Sequence, residues 1–307
     1  MRLGQAGFEG VWVLCRVGLS LRGMGSGITH TPFHLPIPDI LCQTSPYETF
    51  DCTIYLILGD QNMRSSVKYS IGIVILLLLS VNARAESIYH EKYYPDGSGP
   101  FPTVIALHTS GGFKTVKHLI RRYVDDGFAV YAPDFFRKHG ITLRSRMDTF
   151  DRYRKDIENE LSGIVDIMKK DTKVDQKNVF AVGFSNGGFW SSYLAGAAKV
   201  NAGVSHYGVW RANMGREWWN RYPMAYFSKS SAPMLALHGG DDRVQQLRRA
   251  EEAWEELRSR GAKLETHIYP NARHAWDKRK SKKYPYNAKV DKDSHKRTID
   301  FFRKNIQ

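Results

Sequence analysis

A serine between two glycines is the first feature of the sequence that could do chemistry. Residues 183–187 read Gly-Phe-Ser-Asn-Gly, the G-x-S-x-G spacing, with Ser185 at the centre. An apolar run at 179–182 precedes the motif, and apolar residues at helical spacing follow Asn186. Such a sharp strand-to-helix turn exposes the serine hydroxyl, and it requires glycines because side chains at those positions would collide. The motif predicts Ser185 as a nucleophile.

A serine hydroxyl is a weak nucleophile at neutral pH, so it needs a base that a third group holds in place. Residues 238–244 follow a predicted strand and supply two adjacent carboxylates, Asp241 and Asp242. His274 lies in the loop after the next predicted strand, at 264–269. Since serine, aspartate and histidine each come just after a strand, in this order, we predict His274 as the base and one of the two aspartates as its partner.

A glycine-rich loop at 108–113 follows a further predicted strand, at 104–107. Backbone N–H groups could stabilise the negative charge that develops on a carbonyl oxygen when serine attacks it. We predict that Asn186 supplies one such N–H, at the start of its helix, and that the glycine-rich loop supplies the second. A plain tight turn is the alternative interpretation of the loop.

The elements that must position these residues follow an alternating pattern from residue 86 onward. Short apolar runs alternate with longer amphipathic segments, which predicts an α/β fold: a doubly wound, mostly parallel sheet with helices on both faces. No repeat or linker divides this part of the chain, so we predict one domain over 86–307. The predicted strands are 104–107, 128–131, 179–182, one near Val204, 234–237 and 264–269, and the predicted helices are 115–125, 150–169, one from Asn186, 245–259 and about 294–305.

These segments resemble the dienelactone hydrolase-like family of the α/β-hydrolase superfamily, over most of residues 95–305. The resemblance implies an α/β-hydrolase fold. It favours Asp242 over Asp241, because the family's acid lies four residues after the histidine of the same turn. The similarity is carried by the early strand with its glycine-rich loop, Tyr131-Ala132-Pro133-Asp134-Phe135-Phe136, the turn at 183–187, His238-Gly239-x-x-Asp242 and the segment from Tyr269-Pro270 to His274-Ala275.

The resemblance also assigns roles within the glycine-rich loop. It implies that Thr109 gives the second oxyanion amide, with Ser110 close behind, and we predict that Ser110 and Phe113 contact substrate. The dienelactone enzymes themselves use a cysteine nucleophile and a neighbouring glutamate, whereas this chain has Ser185 in the first place and His108 at roughly the second. We therefore expect an ester substrate other than dienelactone.

Together these features predict a serine hydrolase that cleaves ester or lactone bonds of a small molecule through an acyl-serine intermediate, without a metal or an organic cofactor. One alternative is a serine peptidase or acyltransferase on the same core, although related peptidases usually carry a large extra domain. Another is a non-catalytic protein that binds the cell envelope, which would be expected to have lost one of the three residues.

Residues 63–85 predict a secretory signal peptide. Arg64 and Lys68 precede an apolar run at 71–81, and Ala83-Arg84-Ala85 fits a cleavage site. The run is too short for a membrane anchor, which needs about 20 residues, so we predict a secreted or periplasmic protein with no membrane span. Residues 1–62 precede this signal and show no secondary-structure period, and we interpret them as a non-native upstream extension.

Cysteine and charge distribution limit the remaining possibilities. Cys15, Cys42 and Cys52 all precede the predicted mature chain, which excludes disulfides, thiolate metal sites and a cysteine nucleophile in residues 86–307. That part holds 39 Lys and Arg against 26 Asp and Glu, and much of the excess lies in the basic run at 278–283. The run fits a solvated loop, or a site for an anionic substrate or envelope polymer; no nucleic-acid-binding motif is present.

An aromatic-rich stretch at 207–228 allows two interpretations. It includes Trp210, Trp218, Trp219, Tyr222 and Tyr226. Such a segment can form a lid over a substrate or pack in the core, and the sequence favours neither. It also leaves the oligomeric state open.

Overall fold

The computed structural model describes residues 88–210, 222–279, 281 and 283–307. The predicted signal peptide at 63–85, the segment 1–62 and the three cysteines lie outside the described residues, so these predictions stay predictions. Within the described residues, no helix has the length and apolar character that crossing a membrane requires.

Within the described ranges, seven strands form a single sheet. They are β1 (His90–Tyr93), β2 (Phe101–Leu107), β3 (Ala129–Pro133), β4 (Val174–Phe184), β5 (Ala202–His206), β6 (Met234–Gly239) and β7 (Leu264–Tyr269). Their order across the sheet is β1-β3-β2-β4-β5-β6-β7. Only β1 runs antiparallel to its neighbour; every other pairing is parallel. All carboxyl ends of the parallel strands therefore meet at one edge, where ligands bind in open α/β sheets.

Helices cover both faces of the sheet. They are α1 (Lys117–Asp125), α2 (Arg154–Met168), α3 (Asn186–Gly196), α4 (Leu247–Ser259) and α5 (Ala288–Lys304). Buried residues of α1 and α5 share one apolar core, and those of α2, α3 and α4 share the other. The predicted fold class, a doubly wound and mostly parallel sheet, is confirmed.

Strand β2 shows how one sequence run supplies both cores. Val104 and Ala106 face the α1 and α5 side, while Ile105 and Leu107 face the opposite side, and all four are fully buried. Successive side chains of a strand point to opposite faces, so a strand covered on both sides must be apolar throughout. This requirement explains why the strands appear in the sequence as continuous apolar runs.

Strand ends extend beyond the predicted apolar runs, most of all in β4, which begins at Val174 and not at 179. Two further elements differ from the sequence prediction. Helix α5 begins at Ala288, six residues before the predicted start, because the Asn287 side chain accepts a hydrogen bond from the Val290 N–H and caps the helix. Strand β1 was not predicted. Its four residues, His-Glu-Lys-Tyr, form an edge strand that is only half-buried, so it lacks the apolar run of the central strands.

The described part of the aromatic-rich segment packs in the core. Trp210 is buried and meets Trp254 of α4 edge to face, with ring centroids 6.1 Å apart. Tyr226 donates a hydrogen bond to Glu158 of α2. Trp218 and Trp219 lie outside the described residues.

Candidate active site

Ser185 lies at a strained turn between β4 and α3. Its backbone has a φ of 53° and a ψ of −108°, a conformation that non-glycine residues rarely adopt. A Cβ atom on Gly183 would come within 1.9 Å of the Gly187 carbonyl oxygen, and one on Gly187 would come within 2.2 Å of the Leu107 carbonyl oxygen. Both glycines are therefore required, and the turn forms the elbow that the motif predicts.

The structure brings the three predicted residues into one chain of hydrogen bonds. The Ser185 Oγ lies 2.9 Å from His274 Nε2, and His274 Nδ1 lies 2.7 Å from an Asp242 carboxylate oxygen. Since a carboxylate only accepts hydrogen bonds, the Nδ1–H donates to Asp242 and leaves Nε2 to accept from the serine hydroxyl. All three residues are at most 8% exposed. The arrangement can transfer a proton from serine to histidine while the aspartate holds the ring.

Asp242 is fixed from its second oxygen by the turn that follows β6. Its Oδ1 accepts hydrogen bonds from the backbone N–H groups of Val244 and Gln245, both at 2.8 Å. The buried His238 donates from Nε2 to the Gln245 carbonyl at 2.7 Å and closes the turn. Burial lowers the pKa of His238, which keeps its ring neutral beside the carboxylate. The neighbouring Asp241 is exposed.

Asn186, the first residue of α3, directs its side chain to the loops beside the serine. Its amide nitrogen donates to the Thr149 hydroxyl at 3.1 Å and lies 3.4 Å from the Ser110 hydroxyl. As the first residue of the helix, its backbone N–H has no partner one turn earlier within the helix. The Asn186 N–H is therefore placed as an oxyanion donor should be, next to the nucleophile. Nothing in the sequence indicated the contact with Thr149.

The loop after β2 is organised around a threonine that the sequence did not single out. The Thr115 hydroxyl accepts from the Thr109 N–H at 3.1 Å and donates to the Gly112 carbonyl at 2.8 Å. The Thr109 hydroxyl also donates to the Thr115 hydroxyl oxygen, at 3.0 Å. In this state the Thr109 N–H is engaged, and binding an oxyanion would require it to exchange that partner. The assignment of Thr109 as the second donor stays a prediction.

His108 supports the same loop from below. It is fully buried, stacks on Phe135 with ring centroids 3.8 Å apart, and donates from Nδ1 to the Thr109 carbonyl at 2.8 Å. Its Nε2 faces Asp134 at 3.5 Å. Burial would raise the pKa of Asp134, but His108 and two backbone N–H groups outweigh burial and lower it. The residue that stands near the family's glutamate position is thus a ring that anchors the loop.

Two clefts open beside the loop after β2. Ser110 and Phe113, the predicted substrate contacts, both line one of about 370 Å³. The other, of about 530 Å³, lies between Thr115 and the loop that carries His274, and its lining includes Lys114, His118, Lys278 and Arg279.

The described part of the basic run stacks its cations on tyrosines. Lys278 and Lys283 each place their Nζ 5.3 Å from the Tyr284 ring centroid, and Arg279 lies over Tyr286. The Tyr284 ring is itself 5.6 Å from the His274 ring. The run therefore lies next to the site. Lys280 and Lys282 are outside the described residues.

No group of three or more metal-ligating side chains occurs in the part of the chain that the structure describes. The side chains at the edge of the sheet instead bond to one another, as the serine, histidine and aspartate do.

This fold, with a serine elbow and a histidine-aspartate pair at the carboxyl edge of the sheet, defines the α/β-hydrolase class. The model of the dienelactone hydrolase family matches residues 91–306, well over half of the chain. The chain therefore belongs to the dienelactone hydrolase family, as the sequence motifs indicated, and is a carboxylic ester hydrolase.

Individual relatives agree with this assignment. The chain is 28% identical over 221 residues to a carboxymethylenebutenolidase candidate from Methylorubrum extorquens, covering 68% of this chain and 74% of that protein. A similar candidate from Escherichia coli K12 is 26% identical over 234 residues, covering 70% of this chain and 81% of that protein. Among solved structures, a dienelactone hydrolase candidate from Klebsiella pneumoniae has the same fold, with a TM-score of 0.59, 21% identity and coverage of 70% of this chain and 92% of the other.

Proposed function

We propose that the protein hydrolyses carboxylic ester or lactone bonds by two-step acyl transfer through Ser185. The observation that carries this proposal is the unbroken series of hydrogen bonds from Ser185 through His274 to Asp242. In the first step His274 Nε2 takes the serine proton as the Ser185 oxygen attacks the substrate carbonyl, and then returns a proton to the departing alcohol. In the second step the same nitrogen activates a water molecule, which releases the acid and restores the serine.

Charge on the reacting carbonyl oxygen is stabilised by backbone N–H groups. The Asn186 N–H lies at the amino end of α3, where the helix dipole favours negative charge. The Thr109 N–H is the proposed second donor and would exchange its Thr115 partner for the oxyanion. The loop need not move far for this change of partner, because His108 holds the Thr109 carbonyl in place.

The basic cleft favours a substrate with an anionic group away from the scissile bond. Lys114, Lys278 and Arg279 line it, and Lys278 is four residues from His274. A carboxylate there would gain Coulomb attraction from several cations in a partly enclosed cleft. The size of the cleft at Ser110 and Phe113, about 370 Å³, suits a small acyl or alcohol group.

The test compares the full chain with Ser185→Ala on a short-chain nitrophenyl ester. Ser231→Ala is the matched control, because it also removes a buried hydroxyl, one that donates to the Gly196 carbonyl. We expect Ser185→Ala to reduce kcat by at least about 10³-fold while the control retains activity. A fluorophosphonate should add one adduct to wild type, located by peptide mass spectrometry at Ser185. Equal ester turnover in wild type and Ser185→Ala, or an adduct at another residue, would contradict the proposal.

A non-catalytic binding role gives a different pattern. Wild type would then show no turnover above buffer with esters of several acyl lengths or with lactones, and no phosphonate adduct. A peptidase on the same core would form the adduct and would also cleave an aminoacyl anilide in a Ser185-dependent reaction, whereas an esterase would leave the anilide intact. The three outcomes are separable with the same preparations.

A further inference from the structure

Tyr207, the first residue after β5, packs against the candidate base. Its ring meets the His274 ring edge to face, with centroids 4.9 Å apart, and the side chain is fully buried. Its backbone N–H donates to the Leu237 carbonyl at 2.8 Å, and its φ of 39° is positive. The tyrosine is thus held in an uncommon backbone conformation by the sheet, with its ring packed against the imidazole.

The Tyr207 hydroxyl reaches past His274 to a second carboxylate. It donates a hydrogen bond to Asp277, which is only 4% exposed and lies three residues after His274. The turn between them also holds Trp276, a fully buried ring 4.7 Å from the Tyr207 centroid. One tyrosine therefore contacts both ends of the turn that carries the base.

His118 of α1 approaches the same carboxylate from the surface. Its Nε2 lies 3.6 Å from the other Asp277 oxygen, and its side chain is 44% exposed. Burial would raise the pKa of Asp277, but the nearby His118 and the hydrogen bond from Tyr207 outweigh burial and lower it. Burial also raises the pKa of Tyr207 far above its usual value, so the hydroxyl keeps its proton. The pair is therefore a neutral tyrosine that donates to a buried, ionised aspartate.

We propose that Tyr207 and Asp277 are positioning residues for His274, fixing the imidazole through the turn at 274–277 and stabilising its protonated form through the buried negative charge. This inference rests on the proposed function, because it assigns His274 as the base. Asp242 bonds to one ring nitrogen and Ser185 to the other, but the Ser185 bond is given up when the serine attacks. The single remaining hydrogen bond would leave the ring free to tilt about it. The Tyr207 ring removes that freedom, and Asp277 keeps Tyr207 in place.

The titratable groups that contact this pair and His274 come from several elements. Asp242 and Tyr284 face His274, and His238 at the end of β6 acts on it through charge. Asp277 is faced by Tyr207 from the loop after β5 and by His118 from α1. The groups that act on the pair through charge at longer range are Tyr123, His206, Lys278 and Asp291.

Another tyrosine-carboxylate pair, in which the tyrosine is fully buried and the carboxylate half-buried, offers a matched control. The Tyr131 hydroxyl, on β3, donates to Asp171 at 2.5 Å. Asp171 precedes β4, at the amino end of the strands, whereas His274 lies at their carboxyl edge. Tyr131→Phe thus removes the same kind of bond from the opposite edge of the sheet. A merely structural role would make Tyr207→Phe and Tyr131→Phe alike.

The experiment measures ester hydrolysis by the full chain as wild type, Tyr207→Phe, Asp277→Asn and Tyr131→Phe. We expect kcat to fall about 10- to 100-fold in the first two variants, with KM within about threefold, and to stay within about twofold in the control. We also expect the acidic limb of the kcat/KM profile of Asp277→Asn to move about half a pH unit lower, because protonated His274 loses a nearby negative charge. Unchanged kcat and an unchanged acidic limb in both variants, with a Ser185-dependent wild type, would overturn the inference and leave the proposed function intact.

A second measurement needs no turnover. The His274 Nδ1 proton, bonded to Asp242, should give a far-downfield proton NMR signal that His274→Ala removes. We expect Tyr207→Phe to shift or broaden this signal and Tyr131→Phe to leave it unchanged, even if the proposed function fails. An identical signal in wild type and Tyr207→Phe would overturn the positioning role.

Discussion

Two adjacent aspartates in the turn after β6 differ only in what surrounds them. Asp242 is 4% exposed and accepts three hydrogen bonds, two from backbone N–H groups and one from His274. Asp241 is exposed, and its side chain points to solvent. The same side-chain chemistry thus supports the base at one position and contributes surface charge at the next.

This difference gives a prediction with a built-in control. Asp242→Asn should lower kcat about 10³- to 10⁴-fold, because an amide can donate to Nδ1 and stabilise the wrong tautomer of His274. Asp241→Asn makes the same change one residue earlier and should stay within about twofold of wild type. Steady-state kinetics with the nitrophenyl ester, alongside circular dichroism to establish folding, checks both. Comparable losses in the two variants would contradict the assignment of Asp242.

At the scale of single residues, the spacing of motifs along the sequence predicted where the site lies. Contacts between residues that are far apart in the sequence could not be predicted. Ser185, His274 and the pair of aspartates could be predicted because each follows a strand, and the sheet brings strand ends together. The choice of Asp242 over Asp241 came from the family resemblance. Thr115, Tyr207 and Asp277 could not be, because their partners are set by how loops from separate strands meet. Of these three residues, Asp277 had the clearest signal in the sequence, because it lies only three residues after His274.

The elbow between β4 and α3 packs directly against the backbone at the end of β2, and the contact leaves no room for a side chain on the elbow at that point. A Cβ on Gly187 would lie 2.2 Å from the Leu107 carbonyl oxygen, a backbone atom that cannot move aside cheaply. Gly163, in the middle of α2, has open space where its Cβ would stand. Glycine is required in one element and is merely tolerated in the other.

Alanine at these two glycines should therefore act in opposite directions. Gly187→Ala should destabilise the fold by about 3 kcal/mol or more and abolish activity, because the elbow must shift. Gly163→Ala should stabilise it by about 0.5–1 kcal/mol, because alanine favours helix. Urea unfolding monitored by tryptophan fluorescence measures both. A tolerated Gly187→Ala would show that the elbow has room that the structure does not indicate.

Helix α5 packs on the sheet through a buried histidine. His206, at the end of β5, donates from Nε2 to the Thr298 hydroxyl at 2.8 Å, since that hydroxyl donates its own proton to the Ser294 carbonyl. Burial lowers the pKa of His206 to about 3, whereas an unfolded histidine has a pKa near 6.5. Below about pH 6.5 the His206 side chain therefore takes up a proton in the unfolded chain but not in the folded protein. The free energy of unfolding falls as the pH drops below that value.

His206→Gln should remove that pH dependence while keeping a donor to Thr298. Between pH 7 and pH 5, the free energy of unfolding of wild type should fall about 2 kcal/mol more than that of the variant. Urea midpoints at the two pH values supply the comparison, and other groups cancel in the difference. Parallel losses in wild type and variant would mean that His206 is protonated in the folded protein.

At the element scale, the apolar runs predicted the strands that are covered on both faces, and the helical periods predicted the helices that pack on them. These patterns did not predict the edge strand or the exact start of α5. Strands β2, β4 and β6 appeared in the sequence because they are covered on both faces. Strand β1 did not, because pairing with β3 at an edge requires no apolar pattern. The start of α5 depended on one side-chain cap, at Asn287, which the helical period cannot locate.

For the whole molecule, the excess of positive charge is the property that the fold does not explain. Residues 86–307 carry 39 cationic side chains against 26 carboxylates, and cations line the cleft beside the loop that carries His274. Ion pairs within the described residues take up part of this charge, as Arg122 does with Asp291 at 2.7 Å. What remains sets a positive potential around the site, which attracts anions before they bind.

An anionic ester should therefore depend on salt, while a neutral ester of the same length should not. For a nitrophenyl monoester of a dicarboxylic acid, we expect kcat/KM to fall about 3- to 10-fold between low salt and about 0.5 M salt, since the Debye length shrinks to a few ångströms. The neutral ester should change less than about twofold. Equal salt responses would show that the positive field does not act on substrate.

Lys278→Met locates the effect within the molecule. It removes one cation from the cleft and should lower kcat/KM for the anionic ester several-fold while leaving the neutral ester nearly unchanged. Lys169→Met removes the same charge from an exposed position at the end of α2, where Lys169 pairs with Asp166, and should change neither substrate. If both lysine variants lowered the anionic rate equally, the net charge of the molecule would be responsible. A loss confined to Lys278→Met assigns it to the cleft between Thr115 and the loop that carries His274.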